Sequence, residues 1–189
     1  MSKTRWTEDA DIALYAVLAI WAAYLLNYLV FPVDFRAYGI RPREIAGLWG
    51  ILLCPFLHAN LAHIVANSVA LFVLLTLALT LGRGLTALAL VIIVVIGGGG
   101  VWLIGDTGTN HVGASGVVYG LIGFLLTAGL VRRNLKAVLV AAAVFLIYGG
   151  ALLSLLKSTP GTSWAAHFFG LLAGILAAWR TRKWGTFPI

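Results

Sequence analysis

Ser115, His63, Asn67 and His167 are the residues of this chain best placed to do chemistry, because each is polar and lies within or at the mouth of a strongly apolar run. Polar side chains in hydrocarbon are costly, so each is expected to be paired or put to use. Ser115 stands between small residues, in Asn110-His111-Val112-Gly113-Ala114-Ser115-Gly116. A serine hydroxyl becomes a nucleophile when a neighbouring base takes its proton, and the resulting tetrahedral oxyanion needs hydrogen-bond donors. His167 is the candidate base; the Ser115 backbone N–H, His63 and Asn67 are the candidate donors.

Spacing supports this grouping. His63 and Asn67 are four residues apart and share one helical face. His58, five residues before His63, is rotated off that face by about 140°, so it is assigned a structural role, hydrogen-bonding loop backbone at the helix start. His167, Gly170 and Gly174 form a stripe at spacings of three and four, and Gly116, Gly120, Gly123 and Thr127 form a matching one. Glycine stripes let two helix backbones approach closely, which a Ser115–His167 hydrogen bond of about 3 Å demands. The stripes also suit helix packing alone, and a serine at a helix start also suits capping. The presence of His167, with Gly113 and Gly116 leaving the backbone open to a ligand, favours the nucleophile.

The acids are Glu8, Asp9, Asp11, Asp34, Glu44 and Asp106, all at ends or in loops. A buried carboxylate to orient His167 is therefore not expected, which leaves a Ser-His dyad. Metal binding is the competing use of His58, His63, His111 and His167. No cysteine or carboxylate accompanies them inside the apolar runs, so neither a metal nor a cofactor is expected. Cys54 stands alone, which excludes an internal disulfide and fits a small apolar residue.

The elements that must position these groups are membrane helices. The 189 residues are 61% hydrophobic and 10% charged with a mean hydropathy of +1.01, which excludes a soluble domain and predicts an all-α polytopic membrane protein. Six apolar segments reach helix length: 12–31, 61–81, 85–105, 115–131, 137–156 and 163–179. They predict a six-transmembrane helix bundle filling 1–189 as a single domain, with no soluble domain before or after it and no cleavable signal peptide. The fourth and sixth segments are short, leaving room for a water-filled cavity above them. Leu48 to Leu57, in the long loop from Pro32, is apolar enough to lie in the interface or dip into the bilayer.

A net charge of +7 would suggest nucleic acid in a soluble protein, but here the basic residues lie between apolar segments and read as topology signals and lipid contacts. With the N-terminus inside, Lys3, Arg5, Arg83, Arg132, Arg133, Lys136, Arg180, Arg182 and Lys183 lie on the inner side. Only Arg36, Arg41, Arg43 and Lys157 lie outside. Both termini are thus predicted cytoplasmic, with Ser115 near the outer face. The expected location is a prokaryotic cytoplasmic membrane, and no nucleic-acid partner is expected.

Three motifs now carry a resemblance: His58-x-x-x-x-His63-x-x-x-Asn67, Gly113-Ala114-Ser115-Gly116 followed by Tyr119, and Ala166-His167-x-x-Gly170-x-x-x-Gly174. In this order over six apolar segments, the chain resembles a rhomboid intramembrane serine protease. The resemblance implies Ser115 as nucleophile, His167 as base, and His63, Asn67 and the Ser115 amide as oxyanion hole. It further implies that Tyr119 packs against the His167 ring and that transmembrane protein segments are cut, with small residues near the cut and helix-weakening residues further in. One departure is Trp49-Gly50, where the family often carries Trp-Arg; loop anchoring and substrate preference are the properties it touches.

Two rivals stand beside this reading. A catalytically silent rhomboid-like protein would bind membrane helices, although such relatives usually lack the serine or the histidine. A small transporter would show repeated halves with broken helices, and no such pairing is visible.

Overall fold

The computed structural model describes residues 4–31, 33–153, 155 and 162–183. Among them every named element is helical, and an isolated antiparallel bridge joins Ile40 to His111. The long helices are α1 (Arg5–Leu29), α2 (Leu61–Leu81), α3 (Arg83–Ile104), α4 (Ser115–Val131), α5 (Leu135–Leu153) and α6 (Trp164–Arg180). Of these, α1, α2, α3 and α5 are long and apolar enough to cross a membrane, while α4 and α6 have 17 residues each.

Several helix limits depart from the apolar runs, for local reasons. α1 begins at Arg5 rather than Ile12: Thr4 caps it by accepting the Thr7 N–H, and Arg83 pairs with Glu8 at 2.8 Å and Asp9 at 2.7 Å. Asp9 is only 1% exposed, a burial that its arginine partner makes tolerable. α3 carries a π-helical stretch, Ile93–Gly97, in its middle. α5 is described to Leu153, and the expected end at Leu156 lies outside the described residues, as does Lys157. α6 begins at Trp164, one residue late, because Ser163 is its N-cap and accepts the Ala166 N–H at 3.1 Å.

The core lies around α4, whose Leu121, Ile122, Phe124 and Leu125 are wholly buried. A helix apolar on every side is one surrounded by others. The outer faces of α1 and α5 instead expose large apolar side chains such as Leu14, Tyr15, Leu139 and Leu146. A surface of that kind needs an apolar medium, which a bilayer supplies.

Between α4 and α6 the backbones touch. A methyl group added at Gly170 would overlap the Gly116 carbonyl oxygen, and one at Gly174 would overlap that of Gly120. The two stripes read from the sequence therefore face each other, and together they make a close-packed seam. At the end of the bundle holding Asp9 and Arg83, Lys136 donates to the Thr80 carbonyl and Arg132 to the Thr181 carbonyl.

The loop from α1 to α2 folds into short helical turns, Phe35–Tyr38, Ile45–Leu48, Gly50–Leu53 and Cys54–Phe56. Ile45, Trp49 and Leu52 are exposed. Gly50 packs directly on the backbone of Gly39 and Ile40, where any side chain would collide. That contact gives a steric reason for Trp49-Gly50: this loop has no room for an arginine at position 50.

Candidate active site

Ser115 is the first residue of α4, and the N-cap position belongs to Ala114, which makes no side-chain cap. The capping use of the Ser115 hydroxyl is thus not realised. Ser115 lines a cavity of about 850 Å³ together with His63, Asn67, Tyr119 and His167. Three helices supply these side chains: α2 brings His63 and Asn67, α4 brings Ser115 and Tyr119, and α6 brings His167. No hydrogen bond joins Ser115 to His167 among the described residues.

His63 and Asn67 converge on the backbone just before Ser115. Gly113 has φ +117°, a conformation that favours glycine. A Cβ there would sit 2.5 Å from His63 Cε1 and 3.5 Å from Asn67 Nδ2, so both side chains pack against the space glycine leaves. Asn67 Nδ2 is buried with no hydrogen-bond partner among the described residues, a donor available to a ligand oxygen. Asn60 caps α2 by accepting the His63 N–H at 2.9 Å, which fixes the turn that carries the His63 ring.

His58 lies before that cap, outside the helix, so helical rotation does not govern its direction. Its ring meets His63 edge-on at 5.2 Å between centroids, and its Nε2 accepts the Ala114 N–H at 3.5 Å. It touches the loop leading to Ser115, nearer the site than rotation along α2 suggests.

The His167 ring lies flat on Tyr119, with centroids 4.1 Å apart and planes 9° from parallel. Tyr119 in turn donates to the Ala151 carbonyl of α5 at 3.0 Å. Among the described residues no hydrogen bond or ion pair joins a carboxylate to His167, and its ring is held by stacking on Tyr119. Gly170, one turn along α6, and Gly116 set the separation of the two helices at this level through their backbone contact.

Some neighbours were not legible in the sequence. Cys54 is buried and its Sγ–H donates to the Gly113 carbonyl at 3.4 Å, while the Gly113 N–H donates to the Cys54 carbonyl at 3.0 Å. His111, a metal-ligand candidate by type, instead bonds Ser163 and Thr109 on the cavity wall, and burial lowers its pKa, partly opposed by the Asp106 charge. No group of three or more potential metal ligands occurs among the described residues.

The chain matches the family model described as Rhomboid domain over residues 46–184. It is 41% identical over 185 residues to the uncharacterized protein Rv1337 of Mycobacterium tuberculosis, covering 94% of this chain and 77% of that one. Against the uncharacterized protein ML1171 of Mycobacterium leprae the identity is 38% over 186 residues, covering 94% and 73%. YdcA of Bacillus subtilis, which bears the name of a candidate rhomboid protease, is 30% identical over 172 residues, covering 87% and 83%. A multi-pass helical membrane protein whose family model spans every helix from α2 to α6, this chain belongs to the rhomboid family.

Proposed function

We propose that this protein is an intramembrane serine endopeptidase that cuts transmembrane segments of other proteins by a Ser115–His167 dyad. Membership of a family whose members are generally intramembrane serine proteases supports the class. The observation that carries the residue assignment is the shared cavity, where Ser115, His167, His63 and Asn67 meet from three helices.

In this reading Ser115 Oγ attacks the scissile carbonyl while His167 takes its proton. The catalytic hydrogen bond tightens once substrate is bound, as is common for such pairs. The oxyanion accepts from the Ser115 backbone N–H, His63 and the unpaired Asn67 Nδ2. His167 then protonates the leaving amine, and water hydrolyses the acyl-enzyme with His167 again as base. The scissile segment must unwind first, since a helical carbonyl is already hydrogen-bonded. The six helices all span in this proposal, with both termini cytoplasmic and Ser115 near the outer face of a prokaryotic cytoplasmic membrane, as the basic residues suggest.

A panel of transmembrane model substrates, incubated with purified protein, tests it. Wild type should cleave at least one, and Ser115→Ala and His167→Ala should cleave none. The double variant should be no worse than either single, because nucleophile and base act as a unit. Clear cleavage by folded His167→Ala at neutral pH would remove the dyad.

A further inference from the structure

Four residues before Ser115, the His111 ring sits in a hydrogen-bond chain that the proposed chemistry does not use. Its Nδ1 is 2.6 Å from Ser163 Oγ and its Nε2 is 2.8 Å from Thr109 Oγ1, with the residue only 8% exposed. The hydroxyl partners fix the tautomer. Thr109 Oγ1 donates to the Asp106 carbonyl at 2.5 Å, so toward His111 it can only accept, and Nε2 carries the ring proton. Ser163 Oγ accepts the Ala166 N–H at 3.1 Å, which leaves its own proton for the bare Nδ1. The chain thus runs in one direction, from Ala166 N–H through Ser163, His111 and Thr109 to the Asp106 carbonyl.

The His111 backbone is fixed as well. Its N–H donates to the Ile40 carbonyl and its carbonyl accepts the Ile40 N–H, both at 2.9 Å. His111 therefore ties together the outer loop, the strand of chain entering Ser115 and the first turn of α6. His167 is the fourth residue of that helix, and its N–H donates to the Ser163 carbonyl at 3.1 Å. Below this level the glycine seam fixes α6 against α4. Capping alone needs only a Ser163 oxygen that accepts; the second bond, to His111, is what connects the cap to the Ser115 segment.

We propose that His111 is a positioning residue: acting through Ser163, it holds the first turn of α6 against the segment carrying Ser115 and so sets the approach of His167. This deepens the proposed function and rests on it.

The test uses the full chain in lipid nanodiscs, with a cleaved transmembrane substrate and hydrogen–deuterium exchange of the 164–170 amides. His111→Asn keeps an acceptor near the Nδ1 position for Ser163, whereas His111→Gln places its amide toward the Nε2 end and loses that bond. His111→Gln and Ser163→Ala should each lower kcat about tenfold, as a fraction of an ångström at a catalytic pair can, with KM within about twofold. The double variant should be no worse than the weaker single, and His111→Asn should stay within about threefold of wild type. Exchange at 164–170 should quicken in the two damaging variants only. Unchanged kcat and exchange in His111→Gln, or losses that multiply in the double variant, would overturn the positioning role. If wild type shows no Ser115-dependent cleavage, the proteolytic reading fails, and exchange alone then decides whether the His111–Ser163 tie holds α6.

Discussion

The helices that carry Ser115 and His167, α4 and α6, are joined in two unlike ways. From Gly116 and Gly170 inward, α4 and α6 meet backbone to backbone, with no space for a methyl group at Gly170 or Gly174. At the end of α6 nearest Ser163, the link is a relay of hydrogen bonds through His111, Ser163 and Thr109 on the cavity wall. A glycine seam is steric, so it tolerates no enlargement; a hydrogen-bonded tie is directional and depends on donor and acceptor order. The seam fixes how near the helices lie, and the hydrogen-bonded tie fixes how the first turn of α6 is aimed. The proposed reactive groups, Ser115 and His167, sit where the two regimes meet.

Breaking the seam should have the largest effect. Gly174→Val and Gly170→Val should lower Tm and activity together, with activity falling by about 100-fold or more, because even a ~1 Å displacement at a catalytic pair is that costly. Full activity in either variant would mean that the seam does not set the site. His63→Ala should act on chemistry without touching the seam: kcat falls by roughly 100-fold at nearly unchanged Tm, the scale of one lost oxyanion donor. Asn67→Ala should cost less, since two donors remain. His58→Ala should do the reverse, lowering Tm while activity falls only as far as the Ala114 loop loosens. Parallel turnover and melting measurements separate these classes. If His58→Ala removes turnover at unchanged Tm while His63→Ala is benign, the two histidines have exchanged roles.

The seam was legible in the sequence and the hydrogen-bonded tie was not. Glycines at spacings of three and four mark helix faces without knowledge of the partner, and α2 and α4 begin and end where their apolar runs do. The start of α1 was hidden because Glu8 and Asp9 look unsuited to a membrane helix until Arg83, 74 and more residues away, is seen beside them. The His111–Ser163 bond joins residues 52 apart with no periodic relation, and Gly50 has meaning only against the Gly39 backbone. For the candidate site, residue types and stripes pointed to His63, Asn67, Ser115 and His167, while their meeting in one cavity depends on three helices packing. His58 shows the limit of helical arithmetic: it precedes the Asn60 cap, so rotation along α2 says nothing about where its ring lies.

The hydrogen-bonded tie at His111 should also respond to pH, with a smaller effect. Burial holds the folded His111 pKa below its ordinary value, against a partial pull upward from Asp106. The unfolded chain then takes up that proton first, so the stability His111 contributes is complete above about pH 6.5 and is lost as pH falls below it. Thermal melts from about pH 7 to 5.5 should show a shallower decline in His111→Asn than in wild type. Equal slopes would mean that His111 titrates alike in both states.

If Ser115 is an activated nucleophile, a fluorophosphonate probe should label it in the folded protein. Such a reagent reacts with a serine only where a base and an oxyanion site already exist. Labelling of wild type, lost in Ser115→Ala and strongly reduced in His167→Ala, is the expected result. Well-folded wild type that stays unlabelled in several detergents would rule out an activated Ser115 and favour a rhomboid protein that binds membrane helices without cutting them.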